Sequence, residues 1–300
     1  MRQAFTLIEL VITMIILSVV AYFSSDLIAK TYLGYNKVNS LHRANLRVEI
    51  ALNSITNRLE NAIDGTIVKR KSANSHELDS IDSAPSDYNV LEWVGNDIDG
   101  FEAHANLSGT GQTTIDKPAW SGFCNVAKSN KNSIVTPGSN LSFAQEIISR
   151  LSEGSVTFQN GLVALFFPGN YNYNNIGYNG TTTNGLALVS GFNQTASLFT
   201  LLTPVQRITE HYKLAWSAYA VVPVNCNANG LCDLALRYNF RPWRGVDYDT
   251  KNVPSSLLAK NVTVFKTYAT QNRVHIKLCV QEKTGVSSKT SICKEKVVFK

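Results

Sequence analysis

Side chains that commonly catalyse reactions occur in this chain without forming a catalytic set. The K-T-G at 283–285 matches a motif of penicillin-binding proteins, but no S-x-x-K motif precedes it. The G-T-G at 109–111 lacks the spacing and the lysine of a phosphate-binding loop. The five histidines are scattered, and the His-Glu pair at 76–77 has no second histidine four residues after the first. These patterns favour a protein that is not an enzyme.

The carboxylates of the segment NDIDG are candidate ligands for a divalent cation. Asp97, Asp99 and Gly100 resemble part of a calcium-binding loop. However, Gly95 stands at the first ligand position and Asn106 at the twelfth, where an EF-hand places acidic side chains. We therefore expect no metal and no other cofactor.

The cysteines are candidates for disulfide bonds because no pair has the two-residue spacing of zinc or redox motifs. Cys226 and Cys232 flank an Asn-Gly turn, so a bond between them would close that turn. Cys279 and Cys293 would face each other if the last two predicted strands pair. We favour these two pairs, although the sequence alone does not fix the connectivity, and it assigns no partner to Cys124. Such bonds require an oxidising compartment.

Glu9 is the only charged residue in the apolar run FTLIELVITMIILSVVAYF, which occupies positions 5–23. As a helix this run is about 28 Å long, enough to cross the hydrocarbon core of a bilayer. An ionisable group inside a membrane helix costs about 2.5–3.5 kcal/mol on insertion scales, so Glu9 should have a partner. Arg2 precedes the run, which favours a cytoplasmic N-terminus and a body on the other side.

The residues AFTLIEL at 4–10 resemble the signature of type IV prepilins, in which a short basic leader precedes Phe-Thr-Leu-Ile-Glu and an apolar helix. The resemblance implies that a prepilin peptidase cuts between Ala4 and Phe5 and methylates the new amine of Phe5. It also implies that Glu9 pairs with the amine of a neighbouring subunit, and so sets the register of a filament. The family usually has glycine before the cut, where this chain has Ala4.

Two other interpretations of the apolar run stay open. One is a secretory signal peptide cut after Ala21, which leaves the charge of Glu9 unexplained. The other is a plain single-pass anchor on a periplasmic protein.

The segment 26–64 continues in a helical pattern, with apolar residues recurring at spacings near three, four and seven. No proline occurs before Pro85, so we predict one helix from residue 5 to about residue 64. Its membrane half comes first, and its amphipathic half should pack one face on a sheet. A helical hairpin or a coiled coil is the alternative. Major pilins often have a proline where this chain has Asp26, and the difference favours a minor pilin or a pseudopilin.

The rest of the chain is predicted to be a globular α+β domain with an antiparallel sheet. The composition of the whole chain, 44% hydrophobic and 17% charged, excludes a disordered or multi-span protein. We predict a polar loop at 69–90 and, between 169 and 191, exposed turns. These turns are either a surface insertion or a contact loop that displays Tyr171, Tyr173 and Tyr178. Strands are predicted at 90–94, 155–158, 162–167, 212–224, 231–240, 261–268, 273–281 and 293–299.

Positive charge is concentrated at the C-terminal end. The net charge is +6, and residues 260–300 contain nine Lys or Arg against two acids. Along the predicted strand 273–281, Arg273, His275 and Lys277 alternate onto one face, which is typical of a solvated sheet face. No row of aromatic residues interleaves with them, so we do not expect a nucleic-acid partner.

The expected organisation is a leader at 1–4, a transmembrane and assembly helix at 5–64, and a periplasmic domain at 65–300. The segments ALNSITNRLENAI, 257–265 and VHIKLCV resemble J-type pseudopilins and W-type minor pilins. The resemblance implies a structural subunit of a type IV pilus or a type II secretion pseudopilus, at the tip or in initiation. The expected partners are other pilin or pseudopilin subunits, prepilin peptidase and the inner membrane. After assembly the subunit is expected to lie in an extracellular filament. The alternatives are a membrane-anchored binding protein (an adhesin or a DNA receptor) and a periplasmic enzyme.

Overall fold

The computed structural model describes residues 6–71, 77–107, 115–180, 183–283 and 289–299. Its helices are α1 Leu7–Glu60, α2 Ile98–Glu102 and α3 Leu141–Leu151. Three short 3-10 turns are Phe158–Asn160, Tyr178–Gly180 and Pro242–Arg244. The strands are β1 Val68–Arg70, β2 Leu78–Ser80, β3 Val90–Gly95, β4 His104–Leu107, β5 Ile115–Pro118, β6 Ser133–Val135, β7 Ala164–Phe166, β8 Ala187–Asn193, β9 Leu198–Leu201, β10 Lys213–Ala215, β11 Ser217–Val224, β12 Cys232–Phe240, β13 Ser255–Thr270, β14 Arg273–Lys283 and β15 Lys289–Phe299.

Helix α1 forms as one continuous helix, which confirms the predicted long N-terminal element. It ends about one turn before residue 64, because strand β3 binds the chain there. The Ile63 N–H donates to the Val94 carbonyl at 2.9 Å, and the Asn96 N–H donates to the Asn61 carbonyl at 2.8 Å. These bonds satisfy backbone groups that another helical turn would have paired internally.

The second half of α1 packs across an eight-stranded antiparallel sheet with the order β15-β14-β13-β12-β11-β3-β1-β2. Its core residues Val48, Leu52, Ile55 and Leu59 are fully buried. They belong to one apolar cluster with the alternating residues Val274, Ile276, Leu278 and Val280 of β14. A helix stripe with a spacing of three and four thus meets a strand face with a spacing of two. The fold class is α+β, as predicted.

A second layer covers part of the opposite, outward face of this sheet. Its five-stranded sheet has the order β10-β7-β8-β9-β6. A core that includes Phe166 and Leu188 of this layer joins it to β1, β3, β11 and β12. A further core, with α3, lies on the far side of the second sheet. The layers are therefore α1, the large sheet, the small sheet and α3.

The outward face of the last three strands lies beyond this second layer. Among the described residues, none of β14 or β15 belongs to the core between the two sheets. Strand β13 is 16 residues long and has a register shift between Val262 and Val264. We call the strand residues 264–270, 273–283 and 289–299 the C-terminal wing.

Three predictions about the body were wrong. The segment 69–90 is not one polar loop, because it contains β2 and the end of β1, and Arg70 is buried there. The predicted strand at 155–158 is irregular, because the Ser152 hydroxyl binds the Val156 N–H at 3.0 Å in place of a strand partner. The tyrosines of the Asn-rich tract are not all displayed. Tyr178 is fully buried, and the half-buried Tyr171 packs edge-on against Phe166.

Candidate assembly site

The first half of α1 stands free of the body. Every described residue before Asn36 is exposed, so the segment 7–35 projects by about 43 Å at 1.5 Å per residue. Its most apolar window of 18 residues has a mean hydropathy of 2.3. In the described part of the chain, α1 is the one helix that is long and apolar enough to cross a membrane. No described residue of the body covers these apolar side chains, so we expect their partners to come from outside the molecule.

Glu9 lies in the first turn of this free helix. Thr6 is the N-cap residue, and its hydroxyl donates to Glu9 Oε2 at 3.4 Å. The spacing Thr6-x-x-Glu9 is that of a capping box, and a carboxylate is favoured at a helix N-terminus. No cation among residues 6–71 or in the described body pairs with Glu9. The carboxylate is therefore positioned by its own helix and is available to a partner. Ala4 and Phe5, the expected cleavage site, lie outside the described residues.

The body holds the second half of α1 by ion pairs as well as by the core. Glu49 accepts from Lys294 Nζ at 2.7 Å and from Lys296 Nζ at 2.9 Å. These two hydrogen bonds lower the pKa of the Glu49 carboxyl to about 2. Lys296 Nζ also donates to Asn53 Oδ1. Contacts from both oxygens of Glu49 to β15 fix the rotation of the helix on the sheet, and hence the direction in which the free half projects.

The structure contains both expected disulfide bonds. Cys226 pairs with Cys232 next to the turn between β11 and β12, and Cys279 pairs with Cys293. The second pair is directly opposed in the register of β14 and β15, as the predicted pairing of these strands requires. Cys124 is a buried free thiol that contacts Ser129 Oγ at 3.3 Å, and burial raises its pKa.

Sequence reasoning missed a buried ion pair between the large sheet and the second layer. Arg70 Nε donates to Glu92 Oε2 at 2.8 Å, and both side chains are almost fully buried. Burial raises the pKa of the Glu92 carboxyl to about 7 against the opposing effect of Arg70. Tyr178 lies nearby and donates to the Thr66 carbonyl at 2.9 Å. No local signal reveals this pair, because its members come from two strands separated by a long connection.

Asp97, the first carboxylate of NDIDG, has a structural role. It accepts a hydrogen bond from Trp120 Nε1 at 2.9 Å and another from Trp216 Nε1 at 3.0 Å. Burial raises the pKa of Asp97 to about 6. One carboxylate thus joins two indoles from separate parts of the fold, while Asp99 is exposed. In the described ranges no three residues of the types His, Cys, Asp and Glu come together as metal ligands.

The K-T-G motif at 283–285 is described only at its first residue. Lys283 is exposed at the end of β14, and Thr284 and Gly285 lie outside the described residues.

Comparison with known proteins finds one matching family model. The family model of the prokaryotic N-terminal methylation motif matches residues 1–21. No curated protein and no solved structure matches the chain. The chain therefore carries the type IV prepilin-like signal on a long apolar helix, which suggests a membrane-anchored, single-pass protein.

Proposed function

We propose that this chain, which carries the prepilin-like signal, is a minor pilin or a pseudopilin, a structural subunit of a type IV pilus or a type II secretion pseudopilus. The free half of α1 is the observation that carries the proposal. A plain anchor needs about 20 apolar residues. Here the exposed helix runs roughly 18 Å past residue 23 before the body begins to cover it. Tyr32, Leu33 and Tyr35 are each more than half exposed on this stretch. Neighbouring helices in a filament would cover such side chains outside the membrane.

Processing gives Glu9 its role in this proposal. A prepilin peptidase cuts between Ala4 and Phe5 and methylates the Phe5 amine, which then lies four residues from Glu9. In a staggered filament the amine of one subunit meets the Glu9 carboxylate of another. Pairing removes the cost of an isolated charge among apolar helices, and a wrong register leaves that cost in place.

The proposed location follows from the same elements. The N-terminus is cytoplasmic, α1 crosses the inner membrane once, and the body lies in the periplasm, where its disulfides are stable. The partners are other pilin or pseudopilin subunits and the peptidase. We place the subunit at the tip or in the initiation complex, because the second sheet and α3 add bulk to one side of the body. A filament end accommodates such bulk more easily than a packed shaft.

The first experiment is an intact-mass measurement of the protein from cells with and without their prepilin peptidase. The proposal expects a chain that begins at methylated Phe5, and only when the peptidase is present. Retention of Met1 in both strains would indicate a plain anchor, and a start near Tyr22 would indicate a signal peptide. Either result would refute the proposal.

A second experiment tests the registering carboxylate. Glu9→Gln should be processed normally but should be lost from sheared filaments, because the amide cannot neutralise the amine. Glu60→Gln is the matched control, since Glu60 is an exposed carboxylate at the other end of the same helix. Normal incorporation of Glu9→Gln would contradict the pairing.

A further inference from the structure

The outward face of the C-terminal wing combines side chains from three strands into mixed rows. The register of β13, β14 and β15 places directly opposed residues on the same face. From the hairpin tip downwards, the rows are Thr270–Arg273–Phe299, Tyr268–His275–Val297, Lys266–Lys277–Glu295 and Val264–Cys279–Cys293. Aromatic residues on the outer strands therefore flank the basic residues of β14.

This face carries a strong excess of positive charge. Its outward positions hold five cations and a single carboxylate, Glu295. All five cations are exposed: Lys266, Arg273, Lys277, Lys283 and Lys289. The even-numbered lysines of β15, Lys294 and Lys296, point inward and share an ion pair with Glu49. The fold thus uses some of the C-terminal charge to hold α1, and no described layer covers the outward set.

The single carboxylate on this face organises an aromatic stack. Glu295 Oε1 accepts from the Tyr268 hydroxyl at 3.0 Å and contacts His275 Nδ1 at 3.1 Å. The Tyr268 and His275 rings are parallel, with centroids 4.6 Å apart. On the other side of β14, the Arg273 guanidinium lies 4.9 Å from the centroid of the Phe299 ring. Tyr268 remains 44% exposed and Phe299 69% exposed, so both rings offer surface for stacking.

We propose that the outward face of the C-terminal wing binds single-stranded nucleic acid. Its phosphates lie along the cations of β14 and its neighbours, and bases stack on Tyr268 and Phe299. From Arg273 to Lys283 the strand runs about 34 Å, which suits a site of several nucleotides. A polyanion without bases would use the cations but would leave the exposed rings without a role. This inference does not depend on filament assembly.

The sequence pointed away from this conclusion for an identifiable reason. Within 273–281 no aromatic residue alternates with the basic ones. The rings come from position 268 on one neighbouring strand and position 299 on the other, and only the strand register brings them beside Arg273 and His275.

The cations are tested with the full-length chain in detergent micelles and a fluorescein-labelled 20-mer of deoxythymidine. Five phosphate contacts predict that log K falls with log salt with a slope of about −3.5. Lys266→Gln together with Lys277→Gln should make that slope shallower by about 1.4. The matched control is Lys128→Gln with Lys131→Gln, two exposed lysines outside the wing, and it should leave the slope unchanged. Absence of binding at about 20 mM salt, or equal effects of both double variants, would overturn the proposal.

The aromatic contribution is tested separately, because cations alone would bind any polyanion. Tyr268→Leu should weaken binding about fivefold or more at fixed salt, whereas Tyr268→Phe keeps the ring and should retain binding. If Tyr268→Leu lowers the melting temperature, Phe299→Leu at the exposed end of β15 replaces it. Polyglutamate and heparin serve as competitors. If they compete as well as the oligonucleotide and neither ring matters, the face is a docking surface for an acidic protein or polysaccharide, and the nucleic-acid proposal is wrong.

Discussion

The body should not fold without the second half of α1. A fragment that begins at residue 65 lacks five large apolar side chains that are fully buried in the cores: Val48, Leu52, Ile55, Leu59 and Ile63. Burial of each contributes about 1.5–3 kcal/mol, so their loss removes roughly 8–15 kcal/mol. The whole stability of a domain is about 5–15 kcal/mol. A fragment that begins at residue 26 retains all five and should fold.

The assay is urea unfolding of both fragments after export to an oxidising compartment. For 26–300 we expect near-ultraviolet circular dichroism and a cooperative transition, and for 65–300 neither. A cooperative transition in 65–300 with a similar midpoint would refute the reasoning, because the helix would then be an accessory to a self-sufficient domain.

Point variants in the 26–300 fragment give the same test at finer scale. Leu52→Ala should cost about 2–5 kcal/mol, because Leu52 is fully buried. Ile50→Ala on the same helix is the matched control. Ile50 is 62% exposed, so its truncation should change the unfolding free energy by no more than about 0.5 kcal/mol. Equal costs at the two positions would contradict the docked orientation of α1.

The remaining predictions concern the body. Replacing Cys279 and Cys293 by alanine should lower the unfolding free energy by about 3 kcal/mol, the loop-entropy value for the closed loop, measured by urea unfolding; an unchanged midpoint would contradict it. Glu92→Gln removes the carboxylate that pairs with buried Arg70 and should cost about 3 kcal/mol, whereas adding Arg70→Met should recover much of this loss. Because the folded-state pKa of Asp97 is raised from 3.8 to about 6, the native state binds its proton more tightly. Its contribution to stability is therefore full below pH 4 and is lost as pH rises through 6. Thermal melts between pH 4 and 8 should show this slope, and Asp97→Asn should flatten it; an unchanged slope would refute the assignment.

Long periodic elements of the fold could be predicted from the sequence because their signals are local. The apolar run with Glu9 and the amphipathic stretch after it specify α1, and alternation specifies β14. The Asn-Gly turn between Cys226 and Cys232 indicated the β11–β12 hairpin. Helix α1 also carries the candidate assembly site, and the methylation motif could be identified before any tertiary contact was known.

The parts that could not be predicted depend on partners distant in sequence. Strands β1 and β2 are three residues long, and the burial of Arg70 becomes favourable only through its pairing with Glu92. Tyr178 lies in a tract whose composition is typical of exposed turns, yet the second layer encloses its ring. Likewise, the pairing of Glu49 with Lys294 joins residues 245 positions apart. Local composition carries no information about such contacts.

Successive side chains of β15 point to opposite faces of the sheet, so its charged residues serve two separate purposes. Lys294 points inward and holds Glu49 of α1, whereas the neighbouring odd-numbered positions, such as Glu295 and Lys289, point outward. A slip of one residue in the pairing of β14 and β15 would exchange the inward and outward side chains of β15. It would remove the ion pairs with Glu49 of α1 and place Lys294 and Lys296 on the outward face. The Cys279–Cys293 disulfide joins directly opposed residues of these strands, so it excludes that slip. The bond therefore secures both the direction of the free helix and the composition of the outward face, and an oxidising compartment is a condition for both.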